Sequence, residues 1–194
     1  YTPVIMYAQD DADEQASQVS DMTEEGISAM VIAPVDPYGL SEELKAAKEA
    51  EIPVIAYDDL IMNTDALKYY VTFGGRQIGQ LIGQEIIDKE ELEKLQEAKE
   101  SKTIEFFMGS LDDEQALFFY NGLMEKLQPY LDDGTLVCKS GQITFEETGI
   151  LRWSMDEAQS RAEETLNEFY SDTETPDIIC TGFDGAAEGV LKAL

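Results

Sequence analysis

The chain contains no histidine. That removes the usual ligand of zinc sites and the commonest acid–base group near neutral pH. Basic residues are scarce: 13 Lys and Arg stand against 41 Asp and Glu, for a formal net charge of -28. Nucleic acid and anionic membrane surfaces are held by basic patches, so neither is expected as a partner. Cys138 and Cys180 are the two cysteines. So few, so far apart, they read as buried free thiols and not as a disulfide framework. No apolar run approaches the roughly 20 residues that a membrane-spanning helix needs. There is no GxSxG turn, glycine-rich phosphate loop or metal-ligand spacing. No catalytic residue, metal or cofactor is therefore expected, and the chain is not read as an enzyme.

What is present is enough apolar residue for a core, 43% of 194 residues, room for one large domain or two small ones. The organising stretch runs from Ala29 to Met62. Met30 to Val35 is a nearly continuous apolar run, which predicts a strand buried on both faces of a parallel sheet. Pro34, Asp36, Pro37 and Gly39 end it with turn chemistry. Leu40, Leu44 and Ala47 follow at helical spacing, with Ser41 as the expected N-cap. Pro53 to Tyr57 is a second strand, stopping at Asp58 and Asp59. This is a βαβ unit, and ligands of such folds bind beyond the carboxyl ends of the strands.

The same theme recurs along the chain. Thr2 to Ala8 reads as a strand, followed by a helix capped by Asp10 or Asp11 and stopped at Gly26. Tyr69 to Phe73 is another strand, and Ile78, Leu81, Ile82 and Ile86 mark a helix. In it Gly79 and Gly83 predict close approach to a neighbouring backbone. Residues 88–102 are charged and read as a solvated helix end and linker, which puts a domain boundary there: 1–102 and 103–194. Beyond it the spacing predicts a strand over 103–108, a helix ending before Pro129, a strand over 135–139, a helix over 156–169, a strand over 177–181 and a helix from Ala186. The chain is thus an α/β protein with strands that end in Gly/Asp-containing tips.

Those tips carry the candidate ligand-binding residues. Asp58, Asp59, Asp112, Asp113 and Asp184 are acceptors; Gln9, Asn63, Gln115, Gln142 and Arg152 supply mixed donors and acceptors. Trp153 supplies a flat apolar face. Sugar hydroxyls both donate and accept, and the C–H face of a sugar ring packs on aromatics, so this set suits a sugar. Each residue alone also has a plainer use. A strand-end Asp caps helices, Trp153 can fill a core, and Arg152 beside many acids can form a surface ion pair.

Taken in order, VIAPVD with AKEAEIPVIAYDDLIMNTDALKYYVTF, then GSLDDEQALFFYNGLMEKLQPYLDDG, TFEETGILRWSMDEAQSRAEE and DIICTGFDGAAEGVLKAL resemble one family across essentially the whole chain. It is the periplasmic sugar-binding proteins that serve ABC importers, in their xylose-binding and multiple-monosaccharide branch. The resemblance implies the type I periplasmic binding fold, two doubly wound parallel-sheet lobes joined by a hinge. It implies a monosaccharide, pentose or hexose, bound in the cleft between the lobes and delivered to an ABC permease from an extracytoplasmic location, periplasmic or lipid-anchored. It also implies incompleteness at both ends, with an opening strand and helix before Tyr1 and further strands after Leu194. Asp58 matches the family's sugar-binding aspartate, Asp184 that of the second-lobe tip, and Arg152–Trp153 a local Arg-Trp pair. Asp59 stands where the branch has arginine, Glu114–Gln115 where it has an asparagine pair, and Phe183 where asparagine is common. These departures admit a different sugar, a ligand of cationic character or a lost site. The effector core of a LacI-type transcription regulator shares the fold and is the alternative reading, with an enzyme acting on a small polar metabolite more remote.

Overall fold

The computed structural model describes residues 2–171 and 173–194. It divides into two compact units, Tyr1–Phe73 and Gly74–Leu194.

In the first unit three strands, β1 (Met30–Ile32), β2 (Val54–Tyr57) and β3 (Leu67–Val71), form a parallel sheet in the order β1-β2-β3. Helices α1 (Ala12–Glu24) and α2 (Ser41–Glu49) pack on it. Met30, Ile32, Val54 and Ala56 face Val19 of α1 and Leu44 and Ala47 of α2. The opposite face is not buried: Val31 is 66% exposed, and its row continues through Ile55 to Tyr69. The expectation of a strand buried on both faces is corrected here, because α1 and α2 share one core cluster on one side of the sheet. Asp11 caps α1, accepting from the N–H groups of Asp13 and Glu14 at 3.0 Å. Ser41 is not the cap of α2 but its first residue; Leu40 holds the cap position and is buried.

Residues 2–8 form no strand. Val4, Ile5 and Tyr7 are exposed. An extended segment becomes a strand only beside a ladder partner. None of the described residues pairs with this one, whatever its apolar content.

In the second unit β4 (Lys102–Phe107) lies between β5 (Leu136–Val137) and β6 (Ile178–Thr181), all parallel. Ile104, Phe106 and Met108 face α3 (Gly75–Lys89), α4 (Leu92–Ala98) and α5 (Glu114–Asp132) through Ile87, Leu92, Leu123 and Leu127. Phe107 faces the other way, with Ala158 and Ala162 of α7 (Met155–Phe169) and Ala186 and Val190 of α8 (Asp184–Ala193). A short helix, α6 (Phe145–Thr148), and a 3-10 turn over Leu151–Trp153 precede α7. Helices thus cover both faces, as a parallel sheet requires.

Three sequence expectations change. Residues 88–102 are not a linker: they hold α4, whose Leu92 is fully buried. Residues 74–102 therefore pack with the second unit, where the sequence groups them with the first. Helix α5 also does not end before Pro129 but runs through it to Asp132. A proline inside a helix removes one N–H donor, and here that falls in the final turn. Finally, β1 and β5 are shorter than the apolar runs that predict them.

Helices α3 and α5 meet through glycine. A Cβ on Gly79 would lie 2.0 Å from the carbonyl oxygen of Phe119, and one on Gly122 would lie 2.0 Å from that of Arg76. The predicted close approach of Gly79 is present. It turns Leu81 outward, 70% exposed, while Ile82 and Ile86 pack against the core.

Candidate functional site

In each unit the polar tips follow the carboxyl ends of parallel strands. Asp58 directly follows β2, is exposed, and has left-handed backbone geometry with φ 68°. Asp is among the residues that tolerate this region. Strand β3 holds it there. The Asp58 N–H donates to the Val71 carbonyl at 2.9 Å, and the Tyr70 hydroxyl donates to the Asp58 carbonyl at 2.8 Å. Asp58 itself is exposed, next to the half-buried Asp59.

The second unit gathers more. Strand β4 runs into Met108, Gly109 and Ser110, all buried, and then Asp113, which caps α5 by accepting from the Gln115 N–H at 2.7 Å. That places half-buried Gln115 in the first turn of α5. Strand β6 runs into Gly182, whose N–H donates to the Phe107 carbonyl at 2.8 Å. A Cβ on Gly182 would lie 2.8 Å from the Gly109 nitrogen, so the two tips are pressed together. Phe183 and Asp184 follow, with Asp184 exposed as the first residue of α8.

Trp153 joins these tips. Its ring meets Phe183 edge-on, with centroids 5.2 Å apart and planes at 86°. It also covers Gly109, where a Cβ would come within 2.4 Å of the indole Cη2. The ring is nevertheless 39% exposed, so it is neither core filler nor a free surface side chain. Its backbone and that of Arg152 are both left-handed, φ 54° and 55°. Two such non-glycine residues cost about 1–3 kcal/mol each and persist only where their surroundings impose them. Here the Arg152 N–H donates to Ser110 Oγ at 2.7 Å, and the Trp153 N–H to the Ile150 carbonyl at 3.3 Å. The structure thus brings Gln115, Arg152, Trp153 and Asp184 into one unit, at strand tips or on turns tied to them. Asp58 and Asp59 lie at the β2 tip of the other.

Beneath the second-unit tips lies a polar layer that sequence reasoning does not find. The Arg161 guanidinium, over the Phe107 ring at 5.1 Å, donates to the Phe106 carbonyl at 3.0 Å and to Gln142 Oε1 at 2.8 and 3.0 Å. Burial pulls its pKa down, opposed by the charge of Glu105. Gln142, grouped above with the binding residues, therefore serves the framework. Glu105, buried in β4, accepts from the Ser140 N–H at 3.1 Å, from Ser140 Oγ at 2.5 Å and from the Tyr170 hydroxyl at 2.9 Å. Multiple donors of this kind let a carboxylate stay inside a core. Burial and Glu105 push Tyr170 upward, and burial raises Cys138 to about 11 and Cys180 to about 12. Both cysteines are free thiols, but only Cys180 is buried as expected; Cys138 is half-buried. Ser110 has one signal in the sequence, a Gly-Ser pair at the end of an apolar strand. Arg161 has another: it lies on α7 between the inward Ala158 and Ala162.

Among the described residues no group of three metal-ligating side chains is placed to hold a metal ion, and no helix is long and apolar enough to cross a membrane.

A family model for the periplasmic binding protein domain matches residues 1–194. The chain is 40% identical, over all 194 residues, to the multiple sugar-binding periplasmic receptor ChvE of Rhizobium radiobacter, of which it spans 54%. It is 38% identical, also over 194 residues, to the multiple sugar-binding periplasmic protein SbpA of Azospirillum brasilense, of which it spans 53%. An ABC transporter solute binding protein from Clostridium phytofermentans, solved with bound β-D-glucose, superposes with a TM-score of 0.83 at 40% identity. That match covers 97% of this chain and 57% of the solved one. A carbohydrate transporter solute binding protein from Chloroflexus aurantiacus, in complex with D-glucose, gives a TM-score of 0.73 at 25% identity, covering 96% of this chain and 57% of that one. The chain spans about half the length of the curated relatives it matches. The fold is the type I periplasmic binding fold.

Proposed function

We propose, given that this chain belongs to the periplasmic binding protein domain family, that it acts as the monosaccharide-binding subunit of an ABC importer. The observation that carries the reading is Trp153. A part-exposed indole, backed by Phe183 and set beside strand tips that bear Gln115 and Asp184, is a platform for the C–H face of a sugar ring. The relatives' names point to sugars of the same class.

In this reading Asp58, Asp59 and Asp184 accept hydrogen bonds from ring hydroxyls. Gln115 both donates and accepts, and the Arg152 guanidinium donates in a fork to sugar oxygens. The lobes close on the sugar because these contacts form fully only in the closed state, so the ligand shifts the population toward it. The closed form is what an ABC permease receives, and the work is done outside the cytoplasm, in the periplasm or on a lipid anchor. No bond in the sugar is made or broken, so the reading needs neither catalytic group nor cofactor.

A calorimetric panel of pentoses and hexoses on the protein tests this. One or more sugars is expected to bind. A hydrogen bond to a charged group is worth about 1.5–3 kcal/mol, so Asp58→Ala and Asp184→Ala should each weaken binding by about 10–100-fold. Undiminished affinity in both variants overturns the site; no binding across the panel overturns the function.

A further inference from the structure

We infer that Ser110 is a positioning residue: its buried hydroxyl locks the left-handed turn at Arg152–Trp153 and thereby aims the indole. Ser110 has no exposed surface. Its Oγ makes two bonds at once, donating to Asp112 Oδ1 and accepting from the Arg152 N–H at 2.7 Å. The first bond orients the hydroxyl, leaving its lone pairs toward Arg152. The second holds a backbone N–H in a conformation that non-glycine residues rarely adopt. The strand tip and the turn are also joined by the Ile150 N–H to the Gly109 carbonyl at 3.1 Å and the Met108 N–H to the Thr148 carbonyl at 2.7 Å. Those bonds seat the segment before the turn, whereas Ser110 reaches the left-handed residue itself. The indole that the turn carries then lies on Gly109, the residue preceding the lock. Ser110 need not touch a ligand; it acts through Trp153. For its effect on affinity, the inference rests on the sugar-binding reading above.

Trp153 is the one tryptophan in the chain. Its near-ultraviolet circular dichroism and emission can be isolated by subtracting the spectrum of a Trp153→Phe variant. Ser110→Ala is expected to lose most of the indole's near-ultraviolet band, to raise its quenching by acrylamide, and to weaken binding of the best sugar of the panel about tenfold. Adding Arg152→Gly to Ser110→Ala should restore the indole spectrum, because glycine adopts the left-handed turn without a lock. A merely structural role for Ser110 predicts no such rescue, and an unrescued double variant overturns the inference. So does an unchanged indole spectrum in a folded Ser110→Ala protein. Should Ser110→Ala not fold, Asp112→Ala replaces it. Asp112 is exposed, and its removal frees the Ser110 hydroxyl to turn; the indole spectrum should move in the same direction, and no movement overturns the inference. If the unaltered protein binds no sugar, the function falls while the spectra still decide the lock. If it binds and the spectra do not move, the lock falls while the function stands.

Discussion

Gly109 shows how a single missing atom shapes the candidate site. A Cβ there would lie 2.4 Å from the Trp153 ring and 2.7 Å from the Ala116 Cβ, so neither side is open to it. The ring has no simple retreat, since Phe183 meets it edge-on and its backbone is tied to Ile150. Overpacking of this kind costs about 1–3 kcal/mol. Gly109→Ala should therefore push the indole off the tip and lower sugar affinity about tenfold in calorimetry, while leaving a folded protein; equal affinity would show that Trp153 is not a platform. Asp58 illustrates the opposite device. There the side chain is exposed, and it is the backbone that is held, by Val71 and Tyr70 of the neighbouring strand.

Among the elements, the α3–α5 pair is the most tightly interlocked contact. Glycine on each helix lets the backbone of the other approach, Gly79 against Phe119 and Gly122 against Arg76. In an isolated helix, Gly→Ala gains about 1 kcal/mol from propensity. Here the added methyl meets a carbonyl oxygen at 2.0 Å and a backbone nitrogen at 2.7 Å, neither of which can rotate away. The overpacking cost wins. Gly79→Ala is expected to lose up to about 2 kcal/mol net in urea unfolding, and an increase in stability would contradict the packing. The same pairing explains why the charged stretch after α3 is not a linker: with α3 fixed on α5, Leu92 of α4 enters the core made by Ile104, Phe106 and Leu127.

For the molecule as a whole, two thiols and a phenol, buried or half-buried, are held protonated. Cys138 rises from an ordinary 9.0 to about 11, through burial first, and Cys180 to about 12 through burial alone. Tyr170 is raised too, by burial and by its hydrogen bond to Glu105. Between pH 9 and these raised values the folded chain holds more protons than the unfolded one. The stability they contribute is thus complete below pH 9 and is lost as pH rises through about 11 to 12. Urea midpoints should stay level from neutral pH to about 9 and then fall steadily; a flat profile to pH 11 would refute the burial of these groups. At neutral pH both thiols are protonated, in keeping with a structural and unreactive role.

The sequence alone determined most of the element types and the polar tips that follow the strands. Apolar runs and 3.6-residue spacing are local properties, and so are the Asp cap of α1 and the Gly-rich turns that end strands, which is why Asp11 and the β2, β4 and β6 strands were legible, whereas Asp113, read as a candidate ligand acceptor, proves to cap α5. Tertiary structure decided what depends on a partner. Residues 2–8 are as apolar as β2 but have no neighbour to pair with among the described residues; β1 is buried on one face because both helices lie on that side; Pro129 is tolerated because α5 is ending. It also decided the machinery of the site. Ser110 meets Arg152, and Arg161 meets Phe106 and Gln142, across long stretches of chain, and no periodicity links residues that only folding brings within hydrogen-bond distance.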